Sequence, residues 1–193
     1  MARASNREKI LQAGLDLVHG RGFGAASVRD IVQAAGVPQG SFTNHFPSKQ
    51  AFGLEVLDLY FANIRAMLDV TLLDESRAPL DRLRAYVETY SDRFRRNGRP
   101  RGCLFGNLSA EVEDCGEPIR ERLVAIFGEI RAAIATCLRA AVAAGELSSE
   151  TDCEDLAGMI QSSLQGALLL AKAERSPEPI VRFQRVLFST LLR

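Results

Sequence analysis

Two constellations in this 193-residue sequence carry chemistry. The first is "VPQGSFTNHFPSK", residues 37 to 49, where Gln39, Ser41, Thr43 and Asn44 gather around Gly40, with His45 and Lys49 close behind. Gln and Asn amides pair with adenine, and Ser or Thr hydroxyls serve either base type. A lysine ammonium, a serine such as Ser27 and the backbone N–H groups at helix starts suit phosphate. The second constellation centres on Cys103 in "RPRGCLFGNLSAE", with Arg99 and Arg101 close by it and a helix expected to start near it. Cations and a helix N-terminus both favour thiolate, the nucleophilic form. Cys115 and Cys153 have acidic neighbours that oppose ionisation, and Cys137 sits in an apolar helical run where it reads as inert packing.

Other chemistries find little support. Both histidines, His19 and His45, lie in the first 45 residues, so the rest of the chain has none for a catalytic base or a metal site. No P-loop and no GxSxG occurs, and the spaced glycines of "GRGFG" at 20–24 follow no strand, which weakens a nucleotide-binding reading. The acidic run Glu111, Glu113 and Asp114 reads as a solvated helix end. No catalytic residue, metal or cofactor is expected. The four cysteines form no CxxC pair, and in a chain expected to be cytoplasmic they read as reduced thiols. "MARASNREK" begins no signal-peptide pattern, and runs such as "GALLLA" fall far short of the ~20 apolar residues that span a bilayer.

Charge is unevenly distributed although the net charge is zero. Residues 1–50 hold six basic against three acidic residues, and the remainder holds 18 against 21. A basic head on an acidic body suits a polyanionic partner for the head. Of three lysines, Lys9 and Lys49 belong to the head. Lys172, in "LLLAKAERS", either snorkels to solvent or faces the Cys103 helix, where an amine would stabilise or trap an oxidised sulfur.

The elements that must position these groups are helices. Apolar residues make up 47% of the chain, enough for a core, and their spacing follows the 3.6-residue period. Helices are expected near 5–19, 27–35, 38–45, 48–73, 79–97, 102–113, 117–144, 152–174 and 177–192. Ser27 caps the second, with Asp30 near its positive end, and Gly36 stops it. Pro38 falls in the first turn of the third. Two short helices joined by a three- to four-residue turn follow the helix-turn-helix plan, in which the second lies in the major groove. Its outward side is small or hydrogen-bonding, while Phe42 and Phe46, four apart, anchor it inward. An ordinary helical hairpin, or an adaptor that binds protein, fits the same pattern. The fold class is all-α, a three-helix unit over 1–47 followed by a larger helical body over 48–193.

The stretch "SVRDIVQAAGVPQGSFTNHFPSKQAF" resembles the DNA-binding domain of the TetR family of bacterial repressors. The resemblance covers residues 7–54 through the first helix, "GF" at 22–23, "AAGV", "GSF", "HFPSK" and a following aromatic. It implies that Gly40 through His45 form the recognition helix, that Lys49 meets a phosphate, and that a homodimer binds a near-palindromic double-stranded operator. The family usually has tyrosine where this chain has Thr43, whose reach is shorter. "GCLFGNLSAEV" with "AKAERS" is similar to the family's electrophile- and hypochlorite-sensing branch, the N-ethylmaleimide reductase repressor type. That implies sensing by Cys103 with Lys172, although Asn107 stands where the branch can carry another lysine.

A small-molecule inducer is the other signal weighed, in an apolar pocket lined by Phe61, Tyr86, Tyr90, Phe94, Phe105 and Phe127. For the dimer seam, the helix over 152–174 offers Leu156, Met159, Ile160, Leu164 and Leu168, with Gly158, Gly166 and Ala167 permitting close approach. The same stripe also fits the core of a single chain.

Overall fold

Reciprocal caps start the first two helices. In the computed structural model, which describes residues 5–97 and 101–192, Ser5 and Glu8 form a capping box at the head of α1, Asn6–Arg21. Glu8 N–H donates to Ser5 Oγ at 3.2 Å, and Ser5 N–H donates to Glu8 Oε2 at 2.8 Å. Gly22, at φ +93, turns the chain out of α1. Ser27 and Asp30 repeat the box at α2, Val28–Ala34. Gly36 at φ +63 ends α2 as expected, and Val37 N–H closes the turn on Val32 O at 3.1 Å. Such caps satisfy backbone groups that a short helix would otherwise leave open.

The third helix, α3, spans Gly40–His45, and Ser41 N–H donates to Pro38 O at 2.9 Å just ahead of it. Phe42 and Phe46 point inward and meet Phe52 of α4, Lys49–Asp69, with ring centroids 5.2–5.3 Å apart. All three rings are buried. Burial of one such ring stabilises by about 1.5–3 kcal/mol, so this triad fixes α3 on its neighbours. Arg7 of α1 ion-pairs with Glu55, and its guanidinium lies 5.5 Å from the Phe46 centroid. Ser48 caps α4, its Oγ accepting from Ala51 N–H at 3.0 Å.

Helix α4 stops at Asp69, four residues short of the expected end. The Thr71 hydroxyl donates back to Met67 O at 2.6 Å, and Leu73 N–H reaches Leu68 O at 3.0 Å. A side-chain bond of this kind competes with continued helix. After α5, Pro79–Asn97, the single helix expected over 102–113 is two, α6 at Leu104–Ala110 and α7 at Val112–Cys115. Glu111 between them leaves helical geometry at φ −108 and ψ 14. Then come α8, Glu117–Ala143; α9, Cys153–Glu174; and α10, Glu178–Val186, which runs into a π-helical turn at Leu187–Leu191. No strand occurs among the described residues.

The chain folds as two compact units. One comprises Met1–Asn63 with Leu104–Ala125, and the other Ile64–Cys103 with Ile126–Arg193. Helices α4 and α8 each contribute to both. In the first unit, Ile10, Val18, Ile31, Phe42, Phe46 and Phe52 form the core of the three-helix head. In the second, Leu83 and Val87 of α5, Ile134 and Leu138 of α8, and Ile180 of α10 are buried. Ile160, Leu164 and Leu168 of α9 are buried in the same unit, so most of the stripe expected to form a dimer seam is core of a single chain. The apolar side chains exposed on this face of the sequence are instead Leu169 and Leu170.

Candidate nucleic-acid interface

Helix α3 turns one face to its aromatic anchors and the other to solvent. Gln39, Gly40, Thr43, Asn44 and His45 are exposed, and Ser41 is half-buried. No side chain lies within 4 Å of where a Cβ on Gly40 would stand. The expected base-reading residues therefore share an open surface carried by a rigid element. Thr43 Oγ1 donates to Gly40 O at 3.1 Å. Its proton is used inside the helix, so the hydroxyl offers lone pairs outward, which suits acceptance from an adenine or cytosine amino group. The His45 ring stands edge-on to Phe46 at 6.4 Å.

Ser27 is exposed and engaged with Asp30: Ser27 Oγ donates to Asp30 Oδ2 at 2.6 Å and accepts from Asp30 N–H at 3.1 Å. The hydrogen bond from Ser27 holds the Asp30 carboxyl below the usual aspartate range, and Arg21 and Arg29 lower it further. Lys49, expected at a phosphate, is half-buried. Its ammonium turns back onto the turn between α1 and α2, donating to Phe23 O at 2.7 Å and Gly24 O at 3.3 Å, and stands 4.7 Å from the Phe23 centroid.

Glu111 also departs from its sequence reading. The residue is half-buried, and its Oε2 accepts from Gly24 N–H at 3.0 Å, 87 residues away in sequence. A Cβ on Gly22 would collide with the Glu111 carboxylate, so only glycine lets the turn lie this close. Glu113 and Asp114 are exposed. Nearby, Gln50 Nε2 donates to Cys115 O at 3.4 Å. Burial pushes the Cys115 thiol up; Glu111 and Asp114 add to the rise, and Lys49 opposes it.

Cys103 is buried at the edge of the second unit. Gln165 Nε2 of α9 donates to its sulfur across 3.6 Å, a partner absent from the sequence reading. Burial pushes the Tyr86 phenol up to about 12, against the pull of its hydrogen bond with Tyr90, whose hydroxyl oxygen is 3.2 Å away. Lys172 is exposed in the last turn of α9. It follows Gln165 by seven residues, two helical turns along the same face, or roughly 10 Å. Arg99, expected beside Cys103, lies outside the described residues, and Arg101 is exposed. Burial pushes the Cys137 thiol up to about 11, and it donates to Pro79 O at 3.1 Å.

The six expected pocket residues divide between the units. Phe61 and Phe105 pack together in the first at 6.1 Å, and Tyr86 and Tyr90 pack together in the second at 5.4 Å. Ser91 Oγ, in the second unit, is buried without a hydrogen-bond partner. Among the described residues no group of three His, Cys, Asp or Glu could hold a metal, and no helix is long and apolar enough to cross a membrane.

Comparison with known proteins extends this geometry. Residues 10–56 match the bacterial regulatory proteins of the tetR family, and residues 79–187 match the tetracyclin repressor-like C-terminal domain. The chain is 35% identical over 192 residues to the HTH-type transcriptional repressor DhaR of a Mycobacterium species, covering 100% of this chain and 95% of that one. It is 33% identical over 177 residues to the HTH-type transcriptional repressor NemR of Escherichia coli, covering 90% and 87%. A crystal structure of a TetR regulatory protein from Rhodobacter sphaeroides superposes with a TM-score of 0.90 at 34% identity, covering 95% of this chain and 97% of that one.

Proposed function

This chain belongs to the TetR family of DNA-binding transcriptional regulators, and from that premise we propose how it reads its operator and senses its signal. Gln39, Ser41, Thr43 and Asn44 meet base edges in the major groove, with Gly40 letting the helix approach closely. Ser27 and His45 lie against the sugar–phosphate backbone. The observation that carries this reading is the exposure of Thr43, Asn44 and His45 on α3, with Gln39 just ahead of it, beside the buried Phe42–Phe46–Phe52 anchor. Two copies of the chain would present two such helices roughly 34–36 Å apart on a near-palindromic duplex. Leu169, Leu170 and the open Gly166 of α9, with Val186 and Leu191 near the C-terminus, supply apolar surface for pairing.

The proposed signal is an electrophile at Cys103, with release from the operator as its output. An α,β-unsaturated carbonyl would form a carbon–sulfur bond at its β-carbon, and the thiol proton would end on the α-carbon. The adduct would need the space now held by the Gln165 amide, because Cys103 is buried. Lys172, on the same face of α9 as Gln165, would attend the modified sulfur. One observation favours a second reading, in which a small ligand binds the second unit. The unpartnered Ser91 hydroxyl costs about 1–3 kcal/mol as it stands, and a ligand's polar group would satisfy it.

Selection of bound duplexes from a random pool tests the reading of DNA, with a near-palindromic consensus as the expected result. Treatment of the operator complex with N-ethylmaleimide tests the signal. The parent should dissociate and Cys103→Ser should not. Equal release from both would reject the thiol and leave the ligand reading.

A further inference from the structure

Two opposite charges hold one peptide segment in the DNA-binding unit. The segment is Phe23–Gly24, in the turn that leads from α1 to the Ser27 cap of α2. The Glu111 carboxylate accepts the Gly24 N–H at 3.0 Å, and the Lys49 ammonium donates to the carbonyls of Phe23 and Gly24 at 2.7 and 3.3 Å. Both polar ends of the Gly24 residue are thus occupied by ionised side chains, the stronger class of hydrogen bond. Phe23 itself is buried, and the Lys49 ammonium stands over its ring. Gly22 has no side chain where the Glu111 carboxylate lies, and Gln50, next to Lys49, donates to Cys115 O at the end of α7. All of these residues belong to the first compact unit.

We propose that Glu111 and Lys49 act together as a charged clamp on the Phe23–Gly24 turn, as positioning residues that set the pose of α2 and α3 for specific operator binding. Lys49 then serves the duplex indirectly, through the turn, and not as a phosphate contact. Glu111 lies one residue past α6, whose own start follows Cys103 directly in the chain. The clamp ties the segment that follows α6 to the head within the first unit.

The clamp and a direct phosphate contact predict different salt behaviour. A lost phosphate contact weakens specific and non-specific binding alike, and it lowers the slope of log Kobs against log salt by about one. A lost positioning contact weakens only the specific complex and leaves the slope alone. The experiment uses the full chain, its selected operator and a scrambled duplex of the same length. Lys49→Gln and Glu111→Ala should each lower operator affinity roughly tenfold, leave binding to the scrambled duplex unchanged, and keep the parent's salt slope. The double variant should lose little more than either single one, because both act on one turn.

A salt slope reduced by about one in Lys49→Gln, with parallel loss on the scrambled duplex, would overturn the clamp. So would unchanged operator affinity in Glu111→Ala. Amide hydrogen exchange at Gly24 gives an answer that requires no folded variant. Protection in the parent supports the clamp, and exchange at the rate of an open loop contradicts it.

Discussion

The reactivity of the thiols follows from what surrounds each one. Cys137 is buried, bonded to Pro79 O and pushed up to about 11, so almost none of it is thiolate near neutral pH. Cys115 is buried beside Glu111 and Asp114, which push it in the same direction. Cys103 has a donor on its sulfur. A brief pulse of iodoacetamide on the native protein at pH 7, read by peptide mass spectrometry, should label Cys103 ahead of Cys115 and Cys137. Faster labelling of Cys137 would show that these surroundings do not govern reactivity. Asp30 gives a pH dependence of known sign. Its carboxyl titrates lower in the folded chain than in the unfolded one, chiefly through Ser27. The stability it contributes is therefore present above the ordinary aspartate range and fades as pH falls through the lowered folded value. Thermal melts of the parent and Asp30→Asn should differ at neutral pH and converge in acid. A constant gap would contradict the linkage.

At the scale of elements, the position of α3 depends on the Phe42, Phe46 and Phe52 rings. Phe46→Ala should cost about 3–5 kcal/mol in denaturant unfolding, with operator binding lost at temperatures where the parent still binds. A cost well under 1 kcal/mol would mean that the triad is not the anchor. The helix-turn-helix was legible in the sequence because its signals are local. Ser27 with Asp30, Gly36, and the four-residue spacing of Phe42 and Phe46 each act within one or two turns. The C-terminal end of α4 and the split between α6 and α7 were not legible. They depend on the Thr71 hydroxyl reaching Met67 O and on Glu111 reaching Gly24, and the second of these crosses 87 residues. Gln165 was missed for the same reason, since nothing near Cys103 in the sequence announces it. The apolar stripe of α9 was seen correctly as a stripe, but periodicity alone does not say whether its neighbours belong to one chain or two.

For the whole molecule, the question is whether two copies pair and read one duplex together. Leu169 and Leu170 are 65% and 51% exposed on α9, and Val186 and Leu191 add to the uncovered apolar surface. A stable pairing buries roughly 800 Å² per partner, and a charge placed within it would be costly. Leu169→Asp with Leu170→Asp should shift sedimentation from dimer toward monomer and weaken operator binding, while leaving the helical circular dichroism intact. A dimer that survives both changes would place the seam elsewhere. The account as a whole depends on α3 as the part that reads sequence. Competition binding of the parent and Asn44→Ala, on the selected operator and on each of its single base-pair variants, tests that most directly. The account predicts a loss of about 1–3 kcal/mol confined to one base pair in each half-site, with discrimination relaxed at that pair alone. Equal weakening on every sequence would show that Asn44 reads no base.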